Sequence, residues 1–257
     1  MSLMQSLVIA FSMYSKVPMP KVEWNEKNMR YVMCFFPLVG AVIGICVYAA
    51  AYVMTAGFCG SLFFSVMLTL IPVVISGGIH MDGFLDTVDA LCSYGEREKK
   101  LSILKDPHAG AFAILGMGCY FLWNVAVWSE WKSCGDSRIL MVICCGYVLS
   151  RAWSGLSVVT FPAAKDSGLA RTFQDYAQKQ ITKKVMLIWL VLTTAWMLWL
   201  SPAAGVAAVA CSGLVFYYYR RMCRRQFGGI TGDLAGFFLQ VCELAILTGV
   251  VLVWKCI

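Results

Sequence analysis

Apolar runs alternate with short polar segments along the chain, and the lengths of these runs predict helices that cross a membrane. The segment 1–15 is apolar but short for a span, so we expect it to form a helix at the membrane interface. The seven predicted spans cover about residues 31–54, 61–79, 109–129, 138–160, 185–200, 203–219 and 234–254. The pattern therefore predicts an all-α fold over residues 1–257: a single polytopic membrane domain, a helical bundle of about seven transmembrane helices plus the N-terminal interfacial helix.

The composition agrees with a membrane protein and argues against a soluble one. The chain is 60% hydrophobic and 14% charged, with a mean hydropathy of +0.73. Its net charge of +7 would also suit a nucleic-acid partner. The basic residues, however, lie in short loops between apolar runs, as membrane topology requires. We therefore expect no nucleic acid.

The lysines and arginines lie mostly in four polar segments, which the positive-inside rule assigns to the cytoplasmic side. The segments 16–30, 80–108, 161–184 and 220–233 hold seventeen of the 21. Only Lys132, Arg138 and Lys255 fall on the other side, and Arg151 lies within a span. We therefore expect a multi-pass protein of a bacterial or archaeal inner (cell) membrane, with the active site formed by these segments and facing the cytoplasm.

Three aspartates follow the second predicted span at helical spacing. Asp82, Asp86 and Asp89 fall at i, i+4 and i+7 and share one helix face. Carboxylates so placed repel one another, and beside a membrane this is costly unless a cation lies between them. Such oxygen ligands favour Mg²⁺, with Mn²⁺ as the alternative, and these ions usually also bind substrate phosphates. The three aspartates are our candidate metal ligands and catalytic residues, with a solvated helix face as the other interpretation.

The same region holds both histidines and a short helix-start signal. His80 is a candidate catalytic group because an unperturbed pKa of about 6.5 suits proton transfer. The alternative is an interfacial side chain hydrogen-bonded to backbone. Asp106 followed by Pro107 is typical of a capped N-terminus for the third span. Lys105 beside that terminus is a candidate phosphate ligand, since helix N-termini bind anions.

Two charged residues fall inside apolar runs, where a charge is costly and usually marks function or an ion pair. Arg151 lies in the fourth predicted span. We expect it either to contact a substrate phosphate or to pair with one of the aspartates. Glu243, in the seventh span, is a functional candidate on the same ground. Lys165, in the loop after the fourth span, is a further cationic candidate at the mouth of the bundle.

The last polar segment reads RRMCRRQFGGITGD over residues 220–233. Its four arginines are typical of a cytoplasmic loop. Gly228, Gly229, Thr231 and Asp233 resemble a backbone nest that leads into a helix N-terminus, which binds phosphate or positions a metal-binding carboxylate. The segment is therefore a candidate substrate-binding loop, with an ordinary positively charged loop as the alternative.

Several of these segments together resemble the cobalamin synthase family, also called adenosylcobinamide-GDP ribazoletransferases. They are GGIHMDGFLDTVDAL from Gly77, KDPHAGAF from Lys105, the region from Arg151 to Leu169, and FGGITGDLAG from Phe227. SKVPMP near the N-terminus is similar to an early arginine-containing turn of that family. The segments occur in the family's order over almost the whole chain. Lys16 and Lys165 stand where the family usually has arginine, which replaces a bidentate phosphate contact by a point charge.

The resemblance implies the enzyme that completes the nucleotide loop of vitamin B12. α-Ribazole, or its 5'-phosphate, would displace GMP from adenosylcobinamide-GDP and give adenosylcobalamin or its 5'-phosphate, with Mg²⁺ as cofactor. Metal would be held by the three aspartates, and His80 or a free carboxylate would take the proton. Phosphate contacts would come from Lys105, Arg151, Lys165 and the loop 228–233. Expected partners are these small molecules and membrane lipid, with a homo-oligomer or other corrinoid-pathway enzymes as further candidates.

Two other classes of membrane protein also carry acidic clusters. CDP-alcohol phosphotransferases need Ala-Arg three residues after the Asp-Gly pair, where this chain has Asp86-Thr87. A cation-coupled transporter would have broken helices in two repeated halves, and the sequence holds no second copy of the aspartate motif. The sequence therefore favours the ribazoletransferase over both alternatives.

Overall fold

The computed structural model describes residues 2–57, 59–133, 135–164 and 169–256, most of which are helical. In chain order the helices are α1 (Ser2–Tyr14), α2 (Glu26–Met29), α3 (Phe36–Ala56), α4 (Ser61–Ser76), α5 (Ile79–Cys92), α6 (Arg97–Ile103), α7 (Ala111–Lys132), α8 (Ser137–Thr160), α9 (Leu169–Tyr176), α10 (Lys179–Leu200), α11 (Pro202–Met222) and α12 (Gly232–Lys255). A 3₁₀ turn over Val32–Phe35 leads into α3, and a π-helical turn over Cys223–Phe227 follows α11. The predicted all-α fold is confirmed.

Within the described ranges, six helices are long and apolar enough to cross a membrane. They are α3 with its lead-in, α7, α8, α10, α11 and α12. A seventh span results if α4 and α5 are counted together, although the chain bends by 98° between them. The predicted polytopic bundle is therefore confirmed, and each predicted run corresponds to one of these elements.

Helix α1 is the short apolar helix that the sequence predicts at the N-terminus. Its 13 residues rise about 20 Å, which is less than the hydrocarbon core of about 30 Å. It packs on the start of the first span: the ring centroids of Tyr14 and Phe36 are 4.3 Å apart, and Ser6 Oγ donates to Asn28 O at 2.6 Å. The end of α1 thereby becomes one wall of the site described below.

Helix α8 is the most buried of the candidate spans and packs against α3, α10 and α12. Two glycines of α3 let its backbone approach α8 closely, as small residues do in membrane bundles. A β-carbon at Gly40 would lie 2.3 Å from Tyr147 O, and one at Gly44 would lie 2.7 Å from Cys144 O. Any larger residue at either position would push α3 away from α8.

The four basic segments meet at one end of the bundle. Three contacts join them: Gln178 N donates to Arg30 O at 3.2 Å, Lys100 Nζ donates to Gln226 Oε1 at 2.5 Å, and Ala163 pairs with Ile230 in an isolated parallel bridge. These contacts gather the segments that the sequence groups on one side of the membrane.

Candidate active site

A two-glycine turn sets the direction of the acidic helix α5. Gly77 and Gly78 have φ of +65° and +79°, a left-handed conformation that favours glycine. Lys16 lies over this turn: its backbone N donates to Ile75 O at 2.7 Å, and its Cε is 2.3 Å from where a Gly77 β-carbon would be. The turn directs α5 away from α4, and its 14 residues are too few to cross the membrane alone.

A glycine contact brings α12 against α5. A β-carbon at Gly83 would lie 2.7 Å from Asp233 O, and one at Gly236 would lie 2.9 Å from His80 O. Thr231 caps α12 by accepting a hydrogen bond from Leu234 N at 3.2 Å, which places Asp233 in the first turn. Helix α12 therefore carries an aspartate to the acidic face of α5.

Four carboxylates act on one another at this contact. Burial, together with the smaller effects of the Asp82, Asp233 and Asp89 charges, raises the pKa of Asp86 to about 6. In the described part of the chain, the side chains of Asp82 and Asp86 form no hydrogen bond or ion pair. Asp82 is exposed and Asp86 half-buried. The carboxylate oxygens of Asp82 and Asp86 are chemically suited to a hard divalent cation.

Asp89 has a structural contact that distinguishes it from the other aspartates. Its carboxylate accepts hydrogen bonds from Gly110 N at 2.5 Å and from Ala113 N at 2.9 Å. These amides begin α7, so Asp89 caps that helix from a different helix. The negative charge also lies at the positive end of the α7 dipole. Asp89 is therefore the predicted metal ligand with the fewest free lone pairs.

The predicted capping role of Asp106 is wrong. Helix α7 begins at Ala111, and its N-cap Gly110 has no side-chain cap of its own. Asp106 instead accepts from His108 N at 3.0 Å and contacts His108 Nδ1 at 2.8 Å. These hydrogen bonds lower the pKa of Asp106. A capping residue 21 positions away cannot be found by local sequence rules, which look within one turn.

The predicted trio of metal ligands stays a prediction. Within residues 2–57, 59–133, 135–164 and 169–256, no three His, Cys, Asp or Glu side chains are arranged to hold a metal ion. The structure nevertheless changes the set of candidate metal ligands in one respect. Asp233, which the sequence assigned to the substrate loop, lies close enough to Asp86 for its charge to raise the Asp86 pKa, while Asp89 accepts hydrogen bonds from the start of α7.

His80 is buried in an aromatic setting beside the aspartates. Its ring stacks on Tyr14 and meets Phe36 edge-on, with centroids 5.9 Å away in both cases. The side chain is only 4% exposed, and its Nε2 has no hydrogen-bond partner among the described residues. His80 also lines a cavity of about 300 Å³ that Asp82 and Asp233 border. The alternative interpretation, a His80 side chain hydrogen-bonded to backbone, is therefore not met at Nε2.

Arg151 pairs with Glu243, so the predicted pairing with an aspartate is wrong. Its Nη1 lies 2.6 Å from Glu243 Oε1 and donates to Tyr147 O at 2.9 Å. Ser150 Oγ donates to the same carboxylate oxygen at 3.1 Å. Arg151 is 1% exposed. The two intramembrane charges therefore neutralise each other between α8 and α12, and Arg151 is not accessible to a phosphate in this conformation.

The glycines of the last polar segment hold two loops together. Gly229 N donates to Cys223 O at 3.0 Å, and Ile230 N donates to Pro162 O at 2.8 Å. A β-carbon at Gly229 would lie 2.5 Å from Pro162 O. Gly228 has φ of +76°, so both glycines are needed for the turn. Two of the amides in the proposed nest are thus already bonded.

The lysines that the sequence predicts as phosphate ligands can be placed only in part. Lys105 is exposed just after α6. Lys165 lies outside the described residues. Sequence reasoning missed Arg97, whose guanidinium lies against Gly228: its Cζ is 2.1 Å from where a β-carbon would be. Arg97 is exposed and lies at the same end of the bundle as the aspartates.

Comparison with known proteins identifies the family of the chain. A family model described as cobalamin-5-phosphate synthase matches residues 6–251. The chain belongs to this family. Curated relatives named adenosylcobinamide-GDP ribazoletransferase include one from Lachnoclostridium phytofermentans, 46% identical over 95% of this chain and 92% of its own. Others are from Clostridium botulinum strain Alaska E43, 32% identical over 95% of both chains, and Clostridium perfringens strain SM101, 28% identical over 96% of both.

The cobalamin-5-phosphate synthase family is thus the one that the sequence motifs indicate, and the resemblance is confirmed. The match favours it over a CDP-alcohol phosphotransferase or a transporter. No solved structure matches the chain. The aromatic walls beside His80 are a second feature that sequence reasoning missed, because Tyr14, Phe36 and Phe173 lie far apart along the chain and carry no motif.

Proposed function

We propose that the chain joins α-ribazole, or its 5'-phosphate, to adenosylcobinamide-GDP and releases GMP. The product is adenosylcobalamin or its 5'-phosphate. The observation that carries this proposal is the family match over residues 6–251, together with relatives that bear the ribazoletransferase name. The acidic contact of α5 with α12 gives that reaction a chemically suitable centre.

The bonds change at one phosphorus atom in the proposed reaction. The 3'-hydroxyl of the ribazole attacks the phosphorus next to cobinamide, a new P–O bond forms, and the bond to GMP breaks. The hydroxyl proton passes to a carboxylate of the acidic group or to His80. Asp82 and His80 both line the cavity, so either could accept it.

Asp82, Asp86 and Asp233 would hold Mg²⁺ in this proposal. These residues lie on two helices that pack together, the charges of Asp82 and Asp233 act on Asp86, and within the described residues neither Asp82 nor Asp86 has a cationic partner. When bound, the ion would neutralise charge on the transferring phosphoryl group and on the leaving GMP. Asp89 would support the site indirectly, because it fixes the start of α7 beside α5.

We further propose that the site opens to the cytoplasm. The four polar segments that hold seventeen of the 21 lysines and arginines converge at the end of the bundle where the aspartates lie. The positive-inside rule assigns that end to the cytoplasm. Arg97 and Lys105 would contribute positive potential toward the diphosphate there.

The proposal is tested with membranes from cells that express the chain, incubated with adenosylcobinamide-GDP, α-ribazole 5'-phosphate and Mg²⁺. We expect GMP and adenosylcobalamin 5'-phosphate to appear in equal amounts. Membranes without the chain serve as the control. Absence of both products, with the protein present and folded, would overturn the proposal.

A further inference from the structure

The cavity beside His80 is enclosed by segments that are distant in sequence. Tyr14 comes from α1, Phe36 from α3, His80 from α5 and Phe173 from α9. We propose that this cavity receives the planar aromatic base of the ribazole substrate. The inference rests on the proposed function, since it assigns one of its substrates to a subsite.

The four rings that line the space pack on one another and form an aromatic wall. The ring centroid of Tyr14 lies 4.3 Å from Phe36, 5.9 Å from His80 and 6.3 Å from Phe173. A planar base gains binding free energy when it stacks on such rings. The volume of about 300 Å³ is at the small end of ligand pockets, which suits a bicyclic ring and excludes a corrin macrocycle.

The polarity of the walls favours a base with few polar atoms. Met33, Val158 and Leu239 complete the apolar lining. His80, which lines the cavity, has a buried Nε2 that lacks a partner among the described residues. A benzimidazole riboside has one free ring nitrogen, which the Nε2–H tautomer of His80 can satisfy. Guanine has several donors and acceptors on its edge, and against the apolar part of this lining those groups would remain unpaired at a cost.

The acidic residues lie at the border of the same cavity. Asp82 and Asp233 line it together with His80. A base seated among the rings would direct its ribose toward these carboxylates, because the aromatic walls and the acidic border belong to one continuous space. The 3'-hydroxyl is then held where the proposed phosphoryl transfer takes place, and the cavity acts as the positioning device for the nucleophile.

The experiment compares Phe173→Leu with Phe64→Leu in membranes. Phe173 is a wall of the cavity, whereas Phe64 is equally buried but stacks on Trp131 between α4 and α7. For Phe173→Leu we expect the KM for α-ribazole to rise about tenfold, the effect of losing one stacking contact. The KM for adenosylcobinamide-GDP should stay within about twofold. Phe64→Leu should change neither constant.

A second variant keeps the inference testable if Phe173→Leu does not fold. Ala235 lies in the cavity wall, and Ala235→Leu fills the space without removing a core contact. We expect it to raise the KM for α-ribazole at least as much as Phe173→Leu does. If the KM for adenosylcobinamide-GDP rises instead, the cavity takes another part of the substrates and the inference is overturned. Unchanged constants in both variants would also overturn it.

Direct binding separates this inference from the proposed function. Equilibrium dialysis of the detergent-solubilised full chain with α-ribazole alone needs no turnover. Saturable binding that Ala235→Leu abolishes and Phe64→Leu retains supports the cavity even if no product forms. Product formation without any dependence of α-ribazole binding on Phe173 or Ala235 overturns the inference and leaves the proposed function intact.

Discussion

The α-carbon of Asp233 lies 2.8 Å from the point that a β-carbon of Gly83 would occupy. Helices α5 and α12 can therefore meet only because residue 83 has no side chain. This contact brings an aspartate near the end of the sequence to two aspartates from its first half. The acidic site consequently depends on a helix spacing that one methyl group is enough to change.

Gly83→Ala should reduce turnover by about a hundredfold, because a displacement of about 1 Å at a reacting centre has effects of this size. Gly118→Ala is the matched control, since a β-carbon at Gly118 in α7 would meet no atom within 4 Å. Both variants should insert in the membrane, which a detergent-solubilised size-exclusion profile checks. Turnover of Gly83→Ala within threefold of wild type would contradict the close contact.

Asp89→Ala should lower stability by about 1–2 kcal/mol, because it removes the cap of α7. The Mg²⁺ concentration for half-maximal activity should be unchanged. Asp136→Ala is the comparison, since Asp136 caps α8 by accepting from Arg138 N at 2.7 Å. Unfolding temperature and Mg²⁺ titration are measured on each variant. A normal unfolding temperature with a tenfold higher Mg²⁺ requirement would make Asp89 a metal ligand instead.

The fold was largely predictable because span length is read directly from apolar runs. The apolar runs predicted the spans of the described chain, and the 98° turn after α4 coincides with Gly77-Gly78. The site was only partly predictable. The α5 aspartates follow a local helical period, whereas Asp233 joins them through a tertiary contact, and Asp89 caps a helix 21 residues away. Neither contact has a local sequence signature.

Arg151→Leu should destabilise the bundle by about 3–5 kcal/mol, because it leaves the Glu243 charge buried and unpaired. Adding Glu243→Leu should recover much of that loss, since an apolar pair of similar volume removes the isolated charge. Thermal unfolding in detergent provides the measurement. The double variant should also keep the wild-type KM for adenosylcobinamide-GDP. A tenfold rise in the KM for adenosylcobinamide-GDP in the folded double variant would instead show that Arg151 binds a substrate phosphate.

The membrane orientation can be measured with reporters on the full chain. The positive-inside rule places the C-terminal end of α12, with Lys255, on the side opposite the basic segments. A C-terminal alkaline phosphatase fusion should therefore be active, and a C-terminal green fluorescent protein fusion should be dark. The reverse pattern would place the acidic site outside the cytoplasm.

Turnover of Asp82→Asn and Asp233→Asn tests the acidic site most directly. Each substitution keeps the side-chain shape and removes one anionic oxygen ligand. Formation of GMP and cobalamin product from adenosylcobinamide-GDP, a ribazole and saturating Mg²⁺ is followed in membranes that contain equal amounts of folded protein. We expect a loss of about a hundredfold to a thousandfold in both variants, as removal of a group that stabilises transition-state charge produces, and wild-type turnover in the distant Asp136→Asn. Turnover within a few-fold of wild type in either variant would contradict the account.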